Sequence, residues 1–124
     1  MNVKHFLLLF VFCFSIAGHS QNVSLELVYL QTDKGIYETG EDLWFKAYQL
    51  DVQTFGLSDK SKTLYLQMIN PKDSVVWQEK YPIENGIVSG HVYIDEKLSE
   101  GDYFLEGYTK HSFYTVSYTH LTLP

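Results

Sequence analysis

The chain has 124 residues, enough for one domain of ordinary size. Its formal net charge is −6, it contains no arginine, and its single cysteine lies in an apolar run near the start. An acidic, arginine-free chain excludes nucleic acid, because phosphate binding needs clustered Lys or Arg. The lone cysteine excludes a disulfide framework.

Residues 1–20 read as a secretory signal peptide. Lys4 and His5 open it, Phe6 to Ala17 is an apolar run, and Ala17-Gly18-His19-Ser20 supplies small residues near a cut. The run is shorter than the ~20 residues of a membrane-spanning helix. Cys13 leaves with the leader, so no thiolate metal site or cysteine nucleophile remains. Phe10-Val11-Phe12 before it are not the small residues a lipid-anchored cysteine wants. Export is expected, to the periplasm, the outer-membrane surface or the outside, and export without disulfides suits a bacterial envelope. With Lys4 removed, eight lysines face fifteen carboxylates, a net charge of −7. That surface reads as solubility and argues against docking on anionic lipid heads. Asn22-Val23-Ser24 fits a glycosylation acceptor, a chance match in a bacterial host.

The remainder reads as short strands separated by turn chemistry. Ser24 to Gln31 is the first, broken by Thr32-Asp33-Lys34-Gly35. Gly35 and Gly40 permit turns closed to residues with a Cβ, and Asp33 is suited to bond its own backbone two residues on. Tyr37 offers a ring to the core and a hydroxyl to a buried backbone group. After Glu38-Thr39-Gly40-Glu41, a strand from Asp42 to about Leu50 alternates, with Leu43, Phe45 and Ala47 on one face and Trp44, Lys46 and Tyr48 on the other. Asp51 to Ser61 is a polar loop in which Phe55 and Leu57 are expected to peg into the core. Thr63 to Ile69 places Leu64, Leu66 and Met68 inward, and Asn70-Pro71-Lys72-Asp73-Ser74 turns it into its hairpin partner, Val75 to Tyr81.

Asn85-Gly86 is the strongest short turn signal. Ile87 to Ile94 follows, with Val88, Val92 and Ile94 on one face. Glu96 to Asp102 is a polar connection, and Gly101 and Asp102 turn the chain into a strand from Tyr103 to Thr109 with Tyr103 and Leu105 inward. Nothing beyond the leader sustains helical periodicity. The expectation is an all-β antiparallel sandwich.

No chemistry-bearing constellation emerges. His91, His111 and His120 have no ligand spacing, and His91 opposite the Val88/Val92 face suggests a solvent-facing or ring-stacking role. Glu41-Asp42 and Asp95-Glu96 are adjacent acids, which point to opposite faces of an extended chain. No strand-to-helix elbow frames a serine nucleophile. The acidic loop from Asp95 to Asp102 is read as solvated charge rather than a calcium site. No catalytic, cofactor-binding or metal residue is assigned.

The run from Tyr29 to Ala47, with Thr32, Asp33, Lys34, Tyr37, Gly40 and Glu41, resembles the opening of the second macroglobulin domain (MG2) of the alpha-2-macroglobulin and complement family. Thr39 stands where proline is common there. Leu98 to Thr109, with Gly101, Tyr103 and Leu105, is similar to the family's Gly-x-Tyr-x-Leu strand in the form found in large envelope proteins of Bacteroidetes-type bacteria. The resemblance covers about Leu25 to Tyr114. It implies a seven-stranded immunoglobulin-like sandwich serving as spacer and interaction surface, with the motif residues in scaffold roles. The family's reactive thioester needs Cys-Gly-Glu-Gln, which this sequence lacks.

Val116 to Pro124 matches one frame of a common transposase-based sequencing adapter, GTC TCT TAT ACA CAT CTG ACG CTG CCG. On this reading residues 21–115 are a truncated sandwich lacking its native last strand, and residues 116–124 are not native. The alternative is a real last strand, Thr115 to Leu123. The functional expectation is a non-catalytic structural or interaction module at the N-terminus of a longer exported envelope protein. Its partners would be neighbouring domains or another envelope protein, with membrane contact only through an anchor elsewhere in that protein. The alternatives are an accessory extension of an outer-membrane import system, or a carbohydrate-binding module using outward Trp44, Tyr48, Tyr65 and Trp77.

Overall fold

The computed structural model describes residues 25–112 and 117–124, so residues 1–20, expected to form a leader, lie outside the described residues. Seven strands follow in chain order: β1 Glu26–Thr32, β2 Asp42–Asp51, β3 Thr63–Ile69, β4 Val75–Pro82, β5 Ile87–Tyr93, β6 Gly101–Tyr108 and β7 Ser117–Leu123. They form two antiparallel sheets, β1-β2-β5 and β4-β3-β6-β7. The expected all-β sandwich is the observed fold. Six of the strands fall where alternation and turn chemistry place them, with ends shifted by one or two residues.

Period-two patterning builds the core. Val28 and Leu30 from β1, Leu43, Phe45 and Ala47 from β2, and Val88 and Val92 from β5 meet Leu64, Leu66, Met68, Tyr103 and Leu105 of the other sheet. Phe55 and Leu57 depart from expectation. They are 67% and 54% exposed, because the loop closes on itself instead of dipping inward. Asp51 Oδ1 accepts from the N–H groups of Gln53 and Thr54, and the Phe55 N–H donates to the Asp51 carbonyl at 2.8 Å. Gln49, on the inner face of β2, is fully buried, and among the described residues neither atom of its side-chain amide has a partner. Gln49→Met is therefore expected to raise stability by about 1 kcal/mol, read as a higher midpoint in urea.

The seventh place in the sandwich is filled by Ser117–Leu123, the segment that the alternative reading treats as strand. It pairs with β6 from Gly101↔Leu123 to Gly107↔Ser117, and Leu121 and Leu123 are buried. The chain just after β1 crosses over to it. Ile36 bridges Thr122 in parallel, the Tyr37 N–H donates to the Thr122 carbonyl, and the Thr122 N–H donates to the Gly35 carbonyl. That crossing closes the β1/β7 side of the sandwich.

Successive strands all reverse direction, so the molecule has two poles. The upper pole holds the start of β1 and residues 52–62, 83–86 and 109–112; the lower holds residues 33–41, 70–74 and 94–100. With seven strands, the chain comes in at the upper pole and leaves at the lower.

Candidate functional site

The motif residues gather at the lower pole. Tyr37 is 1% exposed, and its hydroxyl donates to Asp33 Oδ1 while accepting from the Lys34 N–H at 2.8 Å. The same Asp33 oxygen accepts from the Trp44 N–H at 3.2 Å, and the Asp33 N–H donates to the Trp44 carbonyl at 3.0 Å. Asp33 thus clamps the β1–β2 crossing to β2, in addition to any local turn it was expected to cap. It is Thr32 that bonds two residues on, its hydroxyl donating to the Lys34 carbonyl. Burial pushes against ionisation of Asp33, but the bonds from Tyr37 and Trp44 prevail and its carboxyl lies below its ordinary value. Burial, together with the hydrogen bond to Asp33, pushes the Tyr37 phenol up to about 12.

Lys34 and Glu41 pair at 2.6 Å across the mouth of the loop, which lowers the Glu41 carboxyl and raises the Lys34 ammonium. Gly40 has φ +88°, and its N–H donates to the Ile94 carbonyl at 2.7 Å. Gly35 needs no such freedom, contrary to expectation: it is not in the left-handed region and has open space where a Cβ would sit. Removing the Tyr37 hydroxyl leaves the Lys34 N–H unpaired. Tyr37→Phe is expected to cost about 1.5–3 kcal/mol in denaturant titration.

The second motif stands beside the first. Tyr103, 1% exposed near the start of β6, donates its hydroxyl to the Ser99 carbonyl at 2.7 Å. This is the tyrosine corner of immunoglobulin-like sandwiches, a phenol reaching back a few residues to pin the connection. Gly101 has φ +139°, and a Cβ there would lie 2.7 Å from Pro71 Cγ, so the site requires glycine. Leu105 is wholly buried. Asp33, Tyr37 and Tyr103 bond to backbone, Gly40 and Gly101 take positive φ, Lys34 and Glu41 pair at the surface, and Leu105 packs in the core.

A polar cluster at the upper pole escaped sequence reading. Glu26, fully buried at the start of β1, accepts from Ser58 Oγ at 2.7 Å, the Ser61 N–H at 3.0 Å, Ser61 Oγ at 2.5 Å and Thr109 Oγ1 at 2.8 Å. Burial favours its neutral form, but these donors outweigh burial and its carboxyl lies below 4.5. Ser61 Oγ also lies 2.9 Å from His111 Nδ1. Its one proton goes to Glu26, so Nδ1–H donates to the hydroxyl. The hydroxyl stands between imidazole and carboxylate, whereas a catalytic triad places the imidazole in the middle. The arrangement is a plug joining the start of β1 to residues 52–62 and 109–112, and only its dispersed serines and threonines signalled it.

The aromatic residues weighed for glycan binding are scattered. Trp44 and Tyr48 lie on the outer face of β1-β2-β5, where His91 packs against Trp44 at 4.8 Å, the ring contact expected for it. Tyr65 lies on the outer face of the other sheet, stacked on Tyr108 at 5.3 Å. Trp77, opposite inward Met68, turns to the core rim rather than outward. Among the described residues no three His, Cys, Asp or Glu side chains converge, and no helix is long and apolar enough to cross a membrane.

No family model and no curated protein matches the chain. Solved structures do. The native conformation of Escherichia coli alpha-2-macroglobulin gives a TM-score of 0.67 at 16% identity, over 82% of this chain and 6% of that one. Salmonella alpha-2-macroglobulin reacted with methylamine gives 0.66 at 15%, over 84% and 7%. Escherichia coli alpha-2-macroglobulin activated by porcine elastase gives 0.66 at 14%, over 79% and 8%. This chain therefore spans less than a tenth of the proteins it resembles. What the likeness establishes is the fold: a macroglobulin-like β-sandwich domain.

Proposed function

We propose that the chain is a non-catalytic structural and interaction module of the MG2 type, standing at the N-terminal end of a longer exported envelope protein. The observation that carries this reading is the lower pole. There Asp33, Tyr37, Gly40, Gly101 and Tyr103 are all spent on holding loops rigid beside the point where the chain leaves. A rigid end next to the exit suits a domain docked against its successor. The leader-like residues 1–20 support export, and the Glu26-Ser61-His111 order supports a structural rather than catalytic role. Of the four aromatic residues named for a glycan platform, only Trp44 and Tyr48 share a face, where Tyr29 lies 6.2 Å from Tyr48.

The adapter match belongs to the same proposal. The native protein continues past Tyr114 with a different sequence that supplies its own seventh strand. Long-read sequencing across the Tyr114 codon tests this. The expected result is an open frame running into a new strand and further sandwich domains. An intact transcript that encodes residues 116–124 and then stops would overturn it.

A further inference from the structure

A cleft of about 240 Å³ opens at the upper pole between the lead-in to β3 and the turn after β6. Lys60, Lys62, Lys110 and His111 line it, with the hydroxyls of Ser61 and Thr63, and no carboxylate is among its lining residues. This reverses the sign of a chain with fifteen acids against nine lysines. Lys60 reaches Asp51 at 3.3 Å, but Lys62 and Lys110 are exposed and make no ion pair among the described residues. The floor is fixed, because Ser61 is held by Glu26 beneath it and by His111 beside it. The described residues that line the cleft all lie between Lys60 and His111.

We propose that this cleft is a binding site for the carboxylates of an acidic polypeptide segment. Ammonium groups are compact point charges without the planar fork that grips a single phosphate, and Lys62 and Lys110, on two separate loops, suit successive carboxylates. The fold itself displays a matching surface. The loops and strand ends of its lower pole carry nine carboxylates, Glu38, Glu41, Glu96 and Glu100 among them, against three lysines. A second copy of this fold docked end to end presents that surface to the upper pole, and the anion site does not depend on this choice of partner.

The test is titration of the protein with hexaglutamate at about 0.01 M ionic strength, where the Debye length is about 30 Å, followed by NMR. Saturable shifts at Lys62, Lys110 and His111 are expected, with affinity falling at least tenfold on moving to about 0.15 M salt. Lys62→Glu/Lys110→Glu should abolish the shifts while leaving the melting temperature unchanged, since neither side chain supports the fold. No saturable binding, or binding that survives the double substitution, would overturn the site. Inorganic phosphate or an oligogalacturonate binding as tightly as hexaglutamate would overturn the polypeptide assignment. Each result is read on this chain alone, so it stands apart from whether the sequenced frame continues.

Discussion

A chain ending at Tyr114 is expected to be insoluble or unfolded. Loss of β7 removes the buried side chains of Leu121 and Leu123, and each such leucine is worth about 2–5 kcal/mol against alanine. It also strips the ladder from the outer edge of β6 and frees the Gly35–Tyr37 crossing from Thr122. The total stability of a domain is about 5–15 kcal/mol, so this one deletion reaches the threshold of unfolding. The exposed β6 edge would then pair with other chains. Soluble yield, size-exclusion profile and thermal melting of residues 21–114 check this. A stable monomer would show that the six-stranded remainder suffices.

Glu26 should dominate the acid response. Its folded pKa lies below the ordinary 4.5, so its contribution is fully present above that value and is lost as pH falls through the depressed folded value. Glu26→Gln keeps the volume but presents an amide N–H₂ to donors already facing the site. It should cost about 2–3 kcal/mol at neutral pH. Urea midpoints measured between about pH 3 and 7 should fall more steeply with acid for the parent than for Glu26→Gln. The slope left in the variant belongs to Asp33, Asp51 and Glu41, whose carboxyls are also lowered. Parallel curves would show that Glu26 is not the titrating group.

The sandwich was legible because alternation at Leu43-Phe45-Ala47 and Leu64-Leu66-Met68 is a local property of the sequence. The motif residues were legible as scaffold, but their partners were not. Asp33 meets the Trp44 N–H eleven residues away, a pairing set by β1–β2 register rather than by local turn chemistry. Glu26 was opaque for the same reason, since its donors lie 32, 35 and 83 residues on and only the closed sandwich brings them together. Phe55 and Leu57 misled because hydrophobicity alone does not choose between a core and an exposed loop tip. Summed charge misled as well. A net −6 conceals a lysine-lined cleft at one end and a concentration of carboxylates at the other.

The parallel crossing of residues 35–37 onto β7 has a mechanical consequence. Tension drawn between the two ends of the sandwich pulls the first strand and the last in opposite senses along their shared length. The bonds joining Gly35 and Tyr37 to Thr122 then lie across the direction of sliding. They must yield together in shear instead of unzipping one after another, so the 124-residue chain would resist stretching until this seam gave way as a unit.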